Sequence, residues 1–333
     1  MTRILLQPKG LEFDADAGET ISDAAARHGI RLPISCRNGV CELCEGYLTK
    51  GSVSAGASRQ TIEAAGNTTI LLCRCWALED CEIEIANVYG PGELPLKNVV
   101  CQIEGVEPIL AHVYRVALRL PAGKAPEFFA GQYLALHLPD KEGPCFYSIA
   151  SAPGSTILEL HIQADPHLAS ANEVITYLQN NNTVKASLPH GRACLAKVPD
   201  HDVILLAAGT GFAQMKSIIE YLLASEFEHQ IHLYWGVRQP QDMYLKEFTE
   251  AWSARTGHFH FTSLIADIDN VQGLEHHEQM AEAVLAHGHD LARSLVFVAG
   301  SPRLVFSALD LLEQAGLPES HFFSDVMEYA ERP

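Results

Sequence analysis

The chain has no run of about 18 apolar residues, so no transmembrane helix is expected. Its opening segment, residues 1–8, has too short an apolar run for a secretory leader and alternates as a first strand would. Basic residues are scarce. The 23 Lys and Arg against 41 Asp and Glu give a net charge of −18. Nucleic acid and anionic membrane are bound through basic patches, so neither is expected as a partner. The acidity is spread along the chain: residues 1–92 carry 8 basic and 12 acidic side chains, a net of −4, and the remaining −14 lies further on. A solvated acidic surface accounts for it. Internal repeats and low-complexity segments are also missing. The nine cysteines are odd in number and clustered like ligands, which excludes a simple disulfide scaffold and implies a reducing compartment, with the cytoplasm expected. What is present in quantity is apolar sequence, 47 % over 333 residues, enough for two or three packed domains.

Three cysteines carry the most specific signal. Cys36, Cys41 and Cys44 read C-x4-C-x2-C, a spacing that holds a [2Fe–2S] cluster, with Gly39 allowing the loop to turn. A fourth thiolate must come from elsewhere, and Cys73 lies at a suitable distance. A Cys-x2-Cys pair is also a zinc half-site, and Cys73, Cys75 and Cys81 offer a loose second one. The four-residue gap and the single distant fourth ligand favour the cluster.

Beyond these cysteines, Tyr89-Gly-Pro-Gly-Glu-Leu-Pro95 reads as a linker. Short strands with turns follow, at 99–104, 113–118 and 131–138, interrupted by one helix around 171–178; this pattern suggests a small barrel. From residue 202 apolar strands at 203–207, 231–235, 259–264 and 295–299 alternate with helices, which implies a parallel sheet. The first of these strands runs into Ala208-Gly-Thr-Gly-Phe212. There Gly209, Thr210 and Gly211 precede a helix whose free N–H groups suit a pyrophosphate. It is not the usual six-residue dinucleotide fingerprint.

Residues 1–92 resemble a plant-type ferredoxin domain. Residues 18–29 resemble its first helix, capped by Thr20 or Ser22 and stopped by Gly29. Cys73-x6-Asp80, followed by Glu82-Ile83-Glu84, resembles the stretch after the last ligand. This selects Cys73 and leaves Cys75 and Cys81 as small core residues. The rest resembles the ferredoxin–NADP reductase superfamily. Its flavin motif, R-x-Y-S, is matched by Cys145-Phe-Tyr-Ser148, which implies Tyr147 against the flavin and Ser148 near its N5 as the catalytic contact. The strand Leu158-Glu-Leu-His-Ile162 implies a backbone border for the flavin tail at His161 and Ile162. Trp235-Gly-Val-Arg-Gln-Pro-Gln-Asp242 implies Arg238 and Asp242 at the adenosine end, with Trp235 divided between core and contact. Ala299-Gly-Ser-Pro-Arg303 implies Gly300 and Pro302 beside the nicotinamide.

Three departures from the superfamily pattern stand out: Cys145 for the motif Arg that pairs with flavin phosphate, Gln214 for a loop Pro, and Ala299 for a Cys. Pro189-His-Gly-Arg-Ala193, Phe212 and Phe322-Phe-Ser-Asp325 lean towards the NAD(P)H:flavin reductase branch. The His-rich stretch 274–278 resembles a metal tract only superficially.

The expectation is a multidomain α+β and α/β protein: a β-grasp ferredoxin domain (1–92), an antiparallel β-barrel flavin domain (97–198) and a parallel-sheet α/β nicotinamide domain (200–333). The resemblance implies an NADH-dependent reductase passing electrons from NADH, rather than NADPH, to FAD, with FMN as the alternative flavin, then to the [2Fe–2S] cluster and an electron-accepting partner protein. An oxygenase component is favoured as that partner. The rivals are a reductase for a deoxysugar dehydrase, a reductase that releases free reduced flavin, and a redox-sensing or electron-relay adaptor without turnover.

Overall fold

The computed structural model describes residues 2–66, 68–123, 126–265 and 275–332, the side chains of 275–277 excepted. The chain forms two compact units, Met1–Pro95 and Leu96–Pro333.

The first unit is built on a mixed five-stranded sheet in the order Leu11–Ala15, Thr2–Gln7, Cys81–Glu84, Glu45–Lys50, Thr68–Leu71. The central pair, Thr2–Gln7 with Cys81–Glu84, is parallel and its other neighbours are antiparallel. The helix Ile21–Arg27 covers the sheet because Ile21, Ala24 and Ala25 fall on one face at helical spacing and are buried. Its start is set by Thr20, whose side chain accepts from the Asp23 N–H at 3.1 Å. Its stop is Gly29, at φ +72°. Cys75 and Cys81 are buried in strands and belong to this core. Tyr89, expected in the linker, exchanges two backbone hydrogen bonds with Arg31 and so belongs to the unit.

The second unit begins with a six-stranded antiparallel sheet in the order Cys145–Ser148, Tyr133–His137, Thr183–His190, Lys97–Leu110, Val113–Arg119, Ile157–Gln163. Its two outer strands are bridged where the Ala150 N–H donates to the Glu159 carbonyl at 2.7 Å, which closes the barrel seam. The helix Ala169–Asn180 buries Val174, Ile175 and Leu178 against the barrel. A parallel sheet follows in the order Phe259–Ile265, Ile231–Val237, Asp202–Ala208, Ser294–Ala299, Phe322–Phe323. Strand Asp202–Ala208 is buried on both sides. Val203, Leu205 and Ala207 join one core and Ile204 and Leu206 the other, so it reads as an unbroken apolar run.

The barrel (97–198) and the parallel-sheet part (200–333) share a core within the second unit. Val113, Ala130 and Leu195 of the barrel lie in the same core as Val203, Phe212 and Trp235 of the parallel-sheet part. A chain separates into domains where few contacts cross, and here a core crosses.

Candidate functional site

In the first unit the four predicted cysteines come together as two pairs. The loop 36–44 turns through three residues at positive φ, Arg37 (56°), Gly39 (85°) and Glu42 (58°), which directs backbone N–H groups inward. The Cys41 N–H donates to Cys36 Sγ at 3.3 Å. Hydrogen bonds from the backbones of Cys41 and Asn38 pull the Cys36 thiol down to about 6, so it is a ready thiolate ligand. Cys44 and Cys73 form the second, buried pair, with Cys73 pushed up to about 11 by burial and by the Cys44 thiol. Two thiol pairs inside a cage of N–H donors suit a two-iron cluster, in which each iron takes two thiolates.

In the second unit a cleft of about 1820 Å³ opens between the barrel and the carboxyl edge of the parallel sheet, far larger than a single small-molecule site. Tyr147, Ser148, His161, Gly209, Thr210, Gly211, Arg238, Asp242 and Gly300 all line it. Two predicted contacts do not. Ile162 points into the barrel core and is fully buried there. Pro302 is the first residue of the helix Pro302–Gln314, where its fixed φ suits the start, and Ser301 caps that helix by accepting from Leu304 N–H at 3.4 Å.

The glycine loop is shaped for close approach. A Cβ on Gly211 would meet the Ala299 carbonyl oxygen at 2.5 Å, so only glycine lets this loop touch the Ala299–Gly300 turn. Gly209 sits at φ +53° with open space beside it. The helix Phe212–Ala224 starts without a side-chain cap or an acid in its first turn, which leaves its N-terminal charge for an anion. Trp235 is core rather than contact: it is fully buried, stacks on Phe212 at 4.0 Å, and donates from Nε1 to the Gly209 carbonyl at 2.9 Å. It thus holds the glycine loop from beneath. The Asp242 carboxylate accepts from the Gln239 N–H at 3.0 Å, capping its own turn at the rim.

At and beside the cleft the structure adds contacts that the motifs did not specify. Tyr133 and His190 stack at 5.5 Å with Phe146 edge-on to both at 5.6 Å, an aromatic ledge on which a planar ring could lie. His161 is buried; its Nε2 lies 2.8 Å from Glu159 and its Nδ1 3.2 Å from the Tyr244 hydroxyl. Glu159 accepts from Nε2–H, so Nδ1 is left to accept from Tyr244. Burial alone would raise Glu159, but the His161 hydrogen bond and the Lys216 charge outweigh it and hold the carboxyl at about 2. Burial keeps His161 below its usual value, hence neutral. On the opposite wall, Asp325 is pushed up to about 7, chiefly by burial, while accepting from Gln214 at 3.0 Å. Cys145 lies outside the cleft lining, buried in the barrel core with its Sγ 3.9 Å from Ser170 Oγ. Of the His-rich stretch 274–278, residue 274 and the side chains of 275–277 lie outside the described residues.

Residues 4–78 match the 2Fe-2S iron-sulfur cluster binding domain, and residues 205–309 match the oxidoreductase NAD-binding domain. The chain is 30 % identical over 326 residues to reductase component 1 of terephthalate 1,2-dioxygenase from Comamonas sp., covering 97 % of this chain and 96 % of that protein. It is 29 % identical to the CDP-6-deoxy-L-threo-D-glycero-4-hexulose-3-dehydrase reductase of Yersinia pestis, covering 97 % of each. Its fold matches that of the Amycolatopsis cytochrome P450 reductase GcoB with a TM-score of 0.62 at 22 % identity, over 98 % of both chains.

Proposed function

Since the chain belongs to the family of electron-transfer oxidoreductases that join a [2Fe–2S] domain to a flavin- and NAD-binding reductase, we propose that it takes hydride from NADH and delivers single electrons to the oxygenase component of a multicomponent system. The flavin supplies the conversion of an electron pair into single electrons, and the cluster a one-electron station. One observation carries the reading: the barrel strand end at Tyr147 and Ser148 and the nucleotide loop Gly209–Gly211 line a single cleft.

The residues divide the work. The Gly209–Gly211 loop and the uncapped helix behind it bind the nucleotide pyrophosphate. Ser148 offers a hydroxyl to the reacting flavin edge, and Tyr147, half-buried on the barrel core, supports the ring. Arg238 and Asp242 stand at the adenosine end. A carboxylate there repels a 2′-phosphate but tolerates a ribose hydroxyl, so NADH is preferred over NADPH by about tenfold or more, equivalent to about 1.4 kcal/mol.

Measuring kcat/KM with both nucleotides checks this, and preference for NADPH would overturn the assignment of Arg238 and Asp242. Replacing Ser148 by Ala should slow flavin reduction in stopped flow while leaving nucleotide affinity within about twofold. An unchanged rate would remove Ser148 from the mechanism.

Cys145 favours a second reading. It lies in the barrel core and supplies no cation for flavin phosphate, and the neighbouring Lys141 is paired with Glu173 at 2.5 Å. A flavin lost on gel filtration would point to a reductase that releases reduced flavin.

A further inference from the structure

Three polar side chains on the helix Phe212–Ala224 are buried: Gln214, Lys216 and Ser217. Burying such groups is unfavourable unless they are hydrogen-bonded. All three reach across to the barrel. The Gln214 amide donates to the Gly131 carbonyl at 2.8 Å and the Ala193 carbonyl at 3.1 Å. The Ser217 hydroxyl donates to the Ser151 carbonyl at 2.8 Å. Lys216 Nζ lies 3.4 Å from the Ala150 carbonyl, 3.4 Å from Glu159 Oε1 and 2.7 Å from Glu220 of its own helix. Ala150 and Glu159 are the residues whose backbone bond closes the barrel seam. Lys216 therefore bolts the helix to that seam, two residues along the chain from Ser148.

The helix carries the Gly209–Gly211 loop at its N-terminus, while residues 150 and 151 continue directly from the flavin motif. We propose that Lys216 and Ser217 are positioning residues that fix the separation between the nicotinamide-binding loop and the flavin-binding strand end at Ser148. This rests on the reading of the cleft given above. The two act through the Ala150 and Ser151 backbone. Stability alone does not account for the charge, because a buried ion pair is often replaced by apolar side chains at no net loss. A geometric role does account for it, since a misplacement of about 1 Å between reacting groups costs on the order of 100-fold in rate.

The full-length holoprotein is compared with Lys216→Met, Lys216→Arg and Ser217→Ala. Flavin reduction is followed in stopped flow with NADH and with NADH deuterated at C4, and NAD⁺ affinity by calorimetry. Amide exchange at residues 149–151 is measured in the flavin-free protein. Lys216→Met should slow the isotope-sensitive step by about tenfold or more with NAD⁺ affinity within about twofold. Ser217→Ala should slow it by about threefold, and Lys216→Arg should restore most of the rate. Exchange at 149–151 should quicken in Lys216→Met. Unchanged exchange, a wild-type rate in Ser217→Ala, or a loss confined to nucleotide affinity or flavin content would overturn the proposal. Should Lys216→Met fail to fold, Ser217→Ala and Lys216→Arg decide it alone. If the wild-type protein reduces no flavin with NADH, the reading of the cleft fails instead, and the exchange data still report whether Lys216 pins the seam.

Discussion

Replacing Gly211 by Ala adds one methyl group at the tightest point of the cleft. The backbone there is right-handed helical, at φ −56° and ψ −18°, so alanine meets no conformational penalty, and its propensity gain over glycine, up to about 1 kcal/mol, comes from the stiffer unfolded chain. The whole cost is steric. The new Cβ would stand 2.5 Å from the Ala299 carbonyl oxygen and 3.0 Å from the Ala299 carbonyl carbon and Cβ. Backbone cannot swing aside as a flexible side chain does. The two loops must therefore part by at least about 0.5 Å, and by about 0.9 Å to regain ordinary contact at 3.4 Å. Overpacking of this kind costs about 1–3 kcal/mol, partly offset by the propensity gain, so net destabilisation should be about 0–2 kcal/mol.

On the proposed function the kinetic effect should be larger, because the displaced loops would be the two that frame the nicotinamide end. We expect hydride transfer slowed by about 10- to 100-fold. Gly209→Ala is the matched control. It meets no atom within 4 Å but forces alanine to φ +53°, costing about 1–2 kcal/mol of stability without pushing on Ala299. Thermal melts and stopped-flow reduction by NADH separate the two. The reasoning fails if Gly211→Ala reduces flavin at the wild-type rate, or if Gly209→Ala is the slower enzyme.

Two further outcomes follow from the structure. Cys73→Ser should lose most of the roughly two iron and two labile sulfide per chain, whereas Cys75→Ser should retain them; equal loss from both, measured by iron and sulfide analysis, would break the ligand assignment. His232 is held at about 4 by burial and by the neighbouring His289 and His260. Its folded value lies below its unfolded one, so its contribution is full above about pH 6.5 and is lost as pH falls towards 4. For this partly exposed ring that is about 1 kcal/mol after solvent screening. Urea midpoints at pH 7.5 and 5 should therefore diverge less in His232→Gln than in the wild type, and equal divergence would refute the attribution.

The gathering of Cys36, Cys41, Cys44 and Cys73 was legible because the spacing of thiolates along a loop is itself the chemistry. The strands at 203–207 and 295–299 were legible because burial on both faces leaves an unbroken apolar run, and those at 231–235 and 259–264 because apolar residues recur through them between polar ones; each extends by one or two residues at its ends. Phe322–Phe323 was missed, since two residues carry no period. The common core of barrel and parallel sheet was hidden for another reason: Val113, Ala130 and Leu195 look like any barrel residues until the fold gathers them with Phe212 and Trp235 in one core. Lys216 and Glu159 lie far apart in sequence, so only the fold brings them together. Ile162 was assigned with its neighbour His161 for the strand backbone they share; strand alternation turns its side chain to the opposite face, into the barrel core.

The first unit owns a core of its own, from Ile4 and Leu6 to Ile83 and Val88. This bears on how activity data are interpreted. A preparation short of iron should contain molecules whose second unit is intact. On the proposed function these would still oxidise NADH in the presence of a dye that accepts electrons from flavin, yet pass nothing to a protein acceptor. Dye reduction and acceptor reduction would then measure different populations in one tube, and their ratio would report the occupied fraction of the cysteine loop.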